Sequence, residues 1–260
     1  MTFWDHIDEL RKALLQPLLL LVILTIIAFL LKEPVFSTLL AANSADFVTY
    51  TIAPGYDNSA SGNLLLSLIN IELPAQLLIH MKVSFYVGFI LTLPFLFYKL
   101  FRFVSPGLYK NEKYYSARII FFSFVSFFAG ILVNYFVIFP FSLRFLASYQ
   151  VADQVNNMIS ITSYLDTLMS LSVLMGICFE LPVVSLLLSK LGILNSGFLK
   201  KYRKHALVVI IIISAIITPT TDIFTLLLVS VPIIFLYELS LVFVKISERP
   251  QEKVINDNSI

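Results

Sequence analysis

The chain has 260 residues, of which 58% are hydrophobic and only 13% charged, and its mean hydropathy is +0.90. A water-soluble domain carries roughly 25% charged residues to cover its surface, so this composition excludes one and fits a single membrane domain over 1–260. The net charge of +2 decides little, because placement of charge matters more than its sum in a membrane protein.

The chain opens MTFWDHIDELRK, with three acids ahead of its first basic residue, and no small-residue cleavage site follows its apolar run. A cytoplasmic lead-in over 1–13 and a retained first span over 14–31 are therefore expected. A bilayer core about 30 Å thick needs ~20 apolar residues of helix. Further runs meet that need at 73–97 (carrying Lys82), at 119–141 (dense in Phe), at 164–188 (carrying Glu180) and at 223–244 (carrying Glu238). The run at 206–218 is short, and a cytoplasmic tail over 245–260 is polar and reads as disordered. The runs are continuous rather than alternating, which predicts an all-α bundle of six transmembrane helices and not a barrel. Prolines 17, 94, 140, 182 and 232 punctuate the spans and predict kinks, which read either as the ordinary proline content of membrane helices or as a device for wrapping a concave surface. Between the first two spans, 32–72 forms the longest connection, in which PVFSTLL reads as a short interfacial helix.

Basic residues gather on alternate connections. Arg11 and Lys12 precede the first span, Lys99 to Arg118 join the second and third, and Lys190 to Lys204 join the fourth and fifth. The intervening connections hold only Lys32 and Arg144. The bias places both termini in the cytoplasm.

Chemistry is confined to a few acids. Glu180, deep in ICFELPVV, costs several kcal/mol in lipid unless it faces partners or water. It reads either as a polar contact for a substrate or partner helix, or as a structural residue, for instance paired with Lys82. Glu238 lies near the end of the last span, where it can reach the interface. Glu9 reads alone as a solvated face, and Glu112 as an acid favouring the start of the third helix. Asp222 reads as the N-cap of the sixth helix. The single cysteine, Cys178, allows no intramolecular disulfide, and the three histidines are far apart, so no metal site is expected. No GxSxG, P-loop or H-E-x-x-H pattern appears, so no catalytic residue, cofactor or nucleic-acid partner is implied.

Five motifs in order resemble one family. They are His6-Ile7-Asp8-Glu9-Leu10-Arg11-Lys12, then Phe103-Val104-Ser105-Pro106-Gly107-Leu108-Tyr109-Lys110-Asn111-Glu112, then Asn134-Tyr135 to Pro140, then Phe179-Glu180-Leu181-Pro182-Val183, and Thr218-Pro219-Thr220-Thr221-Asp222 with Pro232 and Tyr237-Glu238. Together they resemble TatC, the multi-spanning receptor subunit of the twin-arginine protein translocase. The turn T-P-T-T-D is one residue longer than the T-P-P-D of that family.

The resemblance implies a concave bundle with short fifth and sixth helices in a bacterial inner membrane. It implies binding of twin-arginine signal peptides of folded cargo, with TatA/TatB-type single-span partners, a homo-oligomeric assembly and the proton-motive force. Glu9, Phe103 and Glu112 become the signal-peptide recognition residues, and Glu180 the intramembrane polar contact. Leu10, Arg11, Pro106, Tyr109, Tyr135, Pro140 and Asp222 become motif positions with structural or partner-contact roles. Carboxylates suit two guanidiniums, because they accept them in planar, bidentate fashion. A proton- or ion-coupled solute transporter working through Glu180 is the alternative.

Overall fold

The computed structural model describes residues 3–44, 47–52, 67–71, 73–104, 113–149, 158–218 and 222–257. The helices in chain order are α1 (Phe3–Leu30), α2 (Lys32–Ala41), α3 (Val48–Ile52), α4 (Ala75–Val104), α5 (Lys113–Val133), α6 (Phe139–Ser148), α7 (Ile161–Cys178), α8 (Leu181–Lys190), α9 (Ser196–Lys201), α10 (Arg203–Ile217) and α11 (Ile223–Asp257). Five stretches are long and apolar enough to cross a bilayer: Ala13–Leu30, Ala75–Leu100, Ile120–Ser148, Ile161–Lys190 and Ile223–Glu248. The sixth, α10, has 15 residues and covers about 22 Å at 1.5 Å per residue, short of a ~30 Å core.

The last span and its tail need correction. The sixth helix is not short: α11 runs for 35 residues. The reason is that its apolar stretch continues without a break into the polar tail, which is helical to Asp257 rather than disordered. The fourth span is interrupted at Pro182, where a kink is expected. α7 ends at Cys178, Phe179 and Glu180 form a turn, and α8 restarts with Pro182 in its first turn. Proline has no N–H to give, so the break falls where the ladder has already lost a bond.

The third span is bent for a related reason. A π-helical turn, Asn134–Ile138, joins α5 to α6 just ahead of Pro140. Pro140 cannot donate to the Phe136 carbonyl four residues back. The Thr49 hydroxyl, from α3, donates to that carbonyl instead, at 2.5 Å. Nearby, the Tyr50 hydroxyl donates to the Pro140 carbonyl at 3.4 Å, and the Tyr135 hydroxyl donates to the Thr38 carbonyl. The kink is thus where the cap of α2 and α3 is fastened. A two-residue parallel pairing, β1 (Leu68–Ile69) with β2 (Ile159–Ser160), ties the same cap to the entry of α7. Thr49→Val removes this hydrogen bond and is expected to lower folding stability by about 1 kcal/mol in denaturant titration.

Two glycines let neighbouring helices pack closely. A Cβ at Gly88 of α4 would lie 2.5 Å from Thr25 Oγ1 and 2.8 Å from the Thr25 backbone nitrogen of α1. A Cβ at Gly130 of α5 would lie 2.5 Å from the Met175 carbonyl oxygen of α7. In lipid, where apolar surface gives little drive for association, such small-residue contacts let backbones pack closely. Two buried clusters fill the interior. One, around Tyr50, Val83, Phe139, Tyr164 and Leu168, sits under the cap. The other, around Ile138, Leu171, Met175, Val229 and Ile233, joins the third and fourth spans to α10 and α11.

Candidate functional site: a buried carboxyl behind an apolar groove

Glu180 is only 3% exposed, although it lies in a turn. Its Oε1 accepts a hydrogen bond from Ser123 Oγ of α5 at 2.8 Å. Its Oε2 is buried and takes no hydrogen bond from the described residues. One helical turn along α5, Ser126 Oγ donates to the Phe179 carbonyl at 2.5 Å. Two serines of α5 therefore hold polar groups of the α7–α8 break. Lys82 does not pair with Glu180. Its Nζ lies 2.6 Å from Asp166 Oδ1, and this ion pair links α4 to the first half of α7. The sequence offered no sign of it, because Asp166 is separated from Lys82 by a whole span.

A groove of about 850 Å³ runs beside this turn. Phe122, Val125, Ser126 and Ala129 of α5 form one wall, Pro182, Val183 and Leu186 of α8 the second, and Phe235, Leu239 and Phe243 of α11 the third. Phe179 and Pro182 face the groove on either side of Glu180 in sequence, while the carboxyl itself turns inward toward Ser123. The groove is thus mostly apolar, with Lys190 and Ser247 among its lining residues and a carboxyl one side chain behind its wall. It suits a hydrophobic helix carrying an isolated polar group.

The far end of the groove is braced by an ion pair and hydrogen bonds. Arg203 Nε of α10 lies 2.6 Å from Glu238 Oε1 of α11, so Glu238 has a defined partner. The Glu248 carboxylate accepts the Ser196 backbone N–H at 2.7 Å and the Ser196 hydroxyl at 2.5 Å. The Tyr237 hydroxyl donates to the Leu199 carbonyl at 2.7 Å. These bonds fix α9 and the start of α10 against α11. At the opposite end of the last hairpin, Asp222 Oδ1 accepts the Thr225 N–H at 2.6 Å and caps α11.

The remaining motif positions are divided. Arg11 is exposed on α1 at the mouth of a second cleft. Tyr135 and Pro140 belong to the kink beneath the cap. The side chains of Glu9, Leu10 and Phe103, and the whole of Pro106, Tyr109 and Glu112, lie outside the described residues. Ser123 and Ser126 were not singled out by sequence reasoning. Their signal was present: Ser123, Ser126 and Gly130 share one face of a helix otherwise crowded with phenylalanine.

Fold and site together define a helical multi-pass membrane protein with a groove open to its spans, and no enzyme-like constellation among the described residues. The sequence matches the family model "Sec-independent protein translocase protein (TatC)" over residues 5–232. The TatC protein of Blattabacterium sp. subsp. Periplaneta americana (strain BPLAN) is 32% identical over 250 residues, covering 93% of this chain and 94% of that protein. TatCy of Bacillus subtilis (strain 168) is 33% identical over 253 residues, covering 97% and 92%. A crystal structure of the twin-arginine translocase receptor TatC superposes with a TM-score of 0.77 at 30% identity, covering 93% of this chain and 99% of that one. The chain belongs to the TatC family. It is a component of the Sec-independent, twin-arginine protein translocase and not an enzyme, and this replaces the solute-transporter alternative.

Proposed function

We propose that this chain receives twin-arginine signal peptides at the membrane end where its basic residues gather, and accommodates a single-span TatA/TatB-type partner along the groove beside Glu180. The observation that carries the second half is the buried, half-bonded carboxyl one side chain behind an apolar groove. A partner helix with one polar side chain gains a hydrogen bond there that lipid cannot supply.

The first half rests on Glu9 and Glu112, carboxylates flanking opposite ends of the sequence between the first span and the start of the third. Phe103 adds an apolar contact for the peptide. Arg11, Lys99, Lys190, Lys200, Lys201 and Lys204 belong to the same end of the bundle, which makes that end cytoplasmic in a bacterial inner membrane. Several copies would then assemble into one receptor.

The test is photo-crosslinking of a twin-arginine signal peptide to membranes that contain the protein. Glu9→Ala with Glu112→Ala is expected to reduce crosslinking at least roughly tenfold, since two charge-assisted hydrogen-bonding groups worth ~1.5–3 kcal/mol each are removed. Insertion of the chain should be unchanged. Native-level crosslinking in the double variant would remove both residues from the recognition site.

A further inference from the structure

We propose that the cleft between α1 and α4 is a binding site for one anionic phospholipid, its phosphate held by Arg11 and an acyl chain laid between the two helices. This does not rest on the signal-peptide reading; it needs only that α1 and α4 cross the membrane.

The cleft follows from how the pair is built. α1 and α4 run antiparallel and touch backbone to backbone where Thr25 meets Gly88. Away from that contact, toward the start of α1, large side chains take over along the pair. Leu14, Leu18 and Leu21 of α1 face Phe89 and Leu96 of α4 across a cleft of about 590 Å³. Pro17 adds to the opening, because its missing N–H weakens α1 beside the cleft. The volume lies within the ~300–1,000 Å³ of sites that hold small molecules. From Leu14 to Leu21 the cleft runs about 10 Å along the helix axis, the direction in which an acyl chain lies.

Charge chooses the kind of lipid. Among the described residues Arg11 is the one charged residue lining the cleft, and it sits at the mouth, two residues before the apolar stretch Ala13–Leu30 begins. That position is the level of lipid headgroups. A guanidinium there binds phosphate with two parallel hydrogen bonds. Lys99 lies three residues beyond Leu96 on α4 and brings a second cation to the same end. Its ammonium rests 5.1 Å over the Phe95 ring, which holds it near the membrane surface. Basic pockets between membrane helices select anionic headgroups in this way.

The experiment uses the full chain purified in detergent, exchanged into an equal mixture of phosphatidylglycerol and phosphatidylcholine, and examined by native mass spectrometry. One retained phosphatidylglycerol per chain is expected, favoured about fivefold over phosphatidylcholine per basic group engaged. Arg11→Gln should abolish that preference. Leu18→Trp should lower retention of both lipids by filling the cleft; Leu18 is 56% exposed, so the larger ring is accommodated without unfolding the pair. Val231→Trp, on the exposed face of α11, should leave both lipids as in the native chain. Equal retention of the two lipids by the native chain, or a preference that survives Arg11→Gln, would overturn the proposal. So would crosslinking at position 18 to a peptide or partner helix in place of lipid.

Discussion

Gly130→Ala is expected to lower folding stability by roughly 1–3 kcal/mol, and Gly130→Leu to abolish accumulation of the folded protein. The new Cβ would stand 2.5 Å from the Met175 carbonyl oxygen and 2.9 Å from its carbon. Both are backbone atoms inside α7, so neither can swing aside. The helices must separate, and the seam they share holds the Ser123–Glu180 and Ser126–Phe179 bonds. Gly176→Ala, on the facing helix, provides the contrast. Its Cβ would meet the edge of the Phe127 ring at 2.6 Å, a side chain that can turn at smaller cost. Denaturant titration of purified Gly130→Ala and Gly176→Ala gives the order, and the yield of folded protein reads Gly130→Leu. Gly130→Ala as stable as the native chain would mean that α5 and α7 are not held at this separation.

The spans were legible in the sequence because lipid leaves the chain few choices. A long uncharged run such as 14–31 has no stable fate in a bilayer except helix, and the short run at 206–218 already marked α10 as shallow. Glu180 was legible for the same reason, since a lone acid in ICFELPVV stands out against its surroundings. The features that were not legible share one cause: they depend on which groups meet in space. The break between α7 and α8 lies inside a uniformly apolar stretch, and Pro182 marks it only as a kink. The π-helical turn at Asn134 is fastened by Thr49, which is 87 residues from the carbonyl it serves. Lys82 was a reasonable partner for Glu180 by charge, but Asp166 lies within 2.6 Å of it. The length of α11 escaped notice because a polar tail leaving the membrane looks alike in sequence whether it is helical or not.

Glu180 tests whether the groove and the carboxyl behind it act together. Removing the acid alone confuses two effects. Glu180→Ala leaves the Ser123 hydroxyl buried without its acceptor, at a cost of about 1–3 kcal/mol, so lost export could reflect lost folding. Replacing both partners avoids this. Ser123→Ala with Glu180→Leu removes the hydrogen bond as a pair and fills the space with apolar atoms, a change that can be nearly neutral for stability. The double variant is expected to fold like the native chain and to export a folded reporter bearing a twin-arginine signal peptide at least roughly tenfold more slowly, the effect of losing one ~1.4 kcal/mol polar contact. Glu180→Gln keeps an acceptor for Ser123 and an amide that can donate, and is expected to retain most of the export. If the doubly apolar variant exports at the native rate, Glu180 serves only to satisfy Ser123, and the groove takes its partner by shape alone.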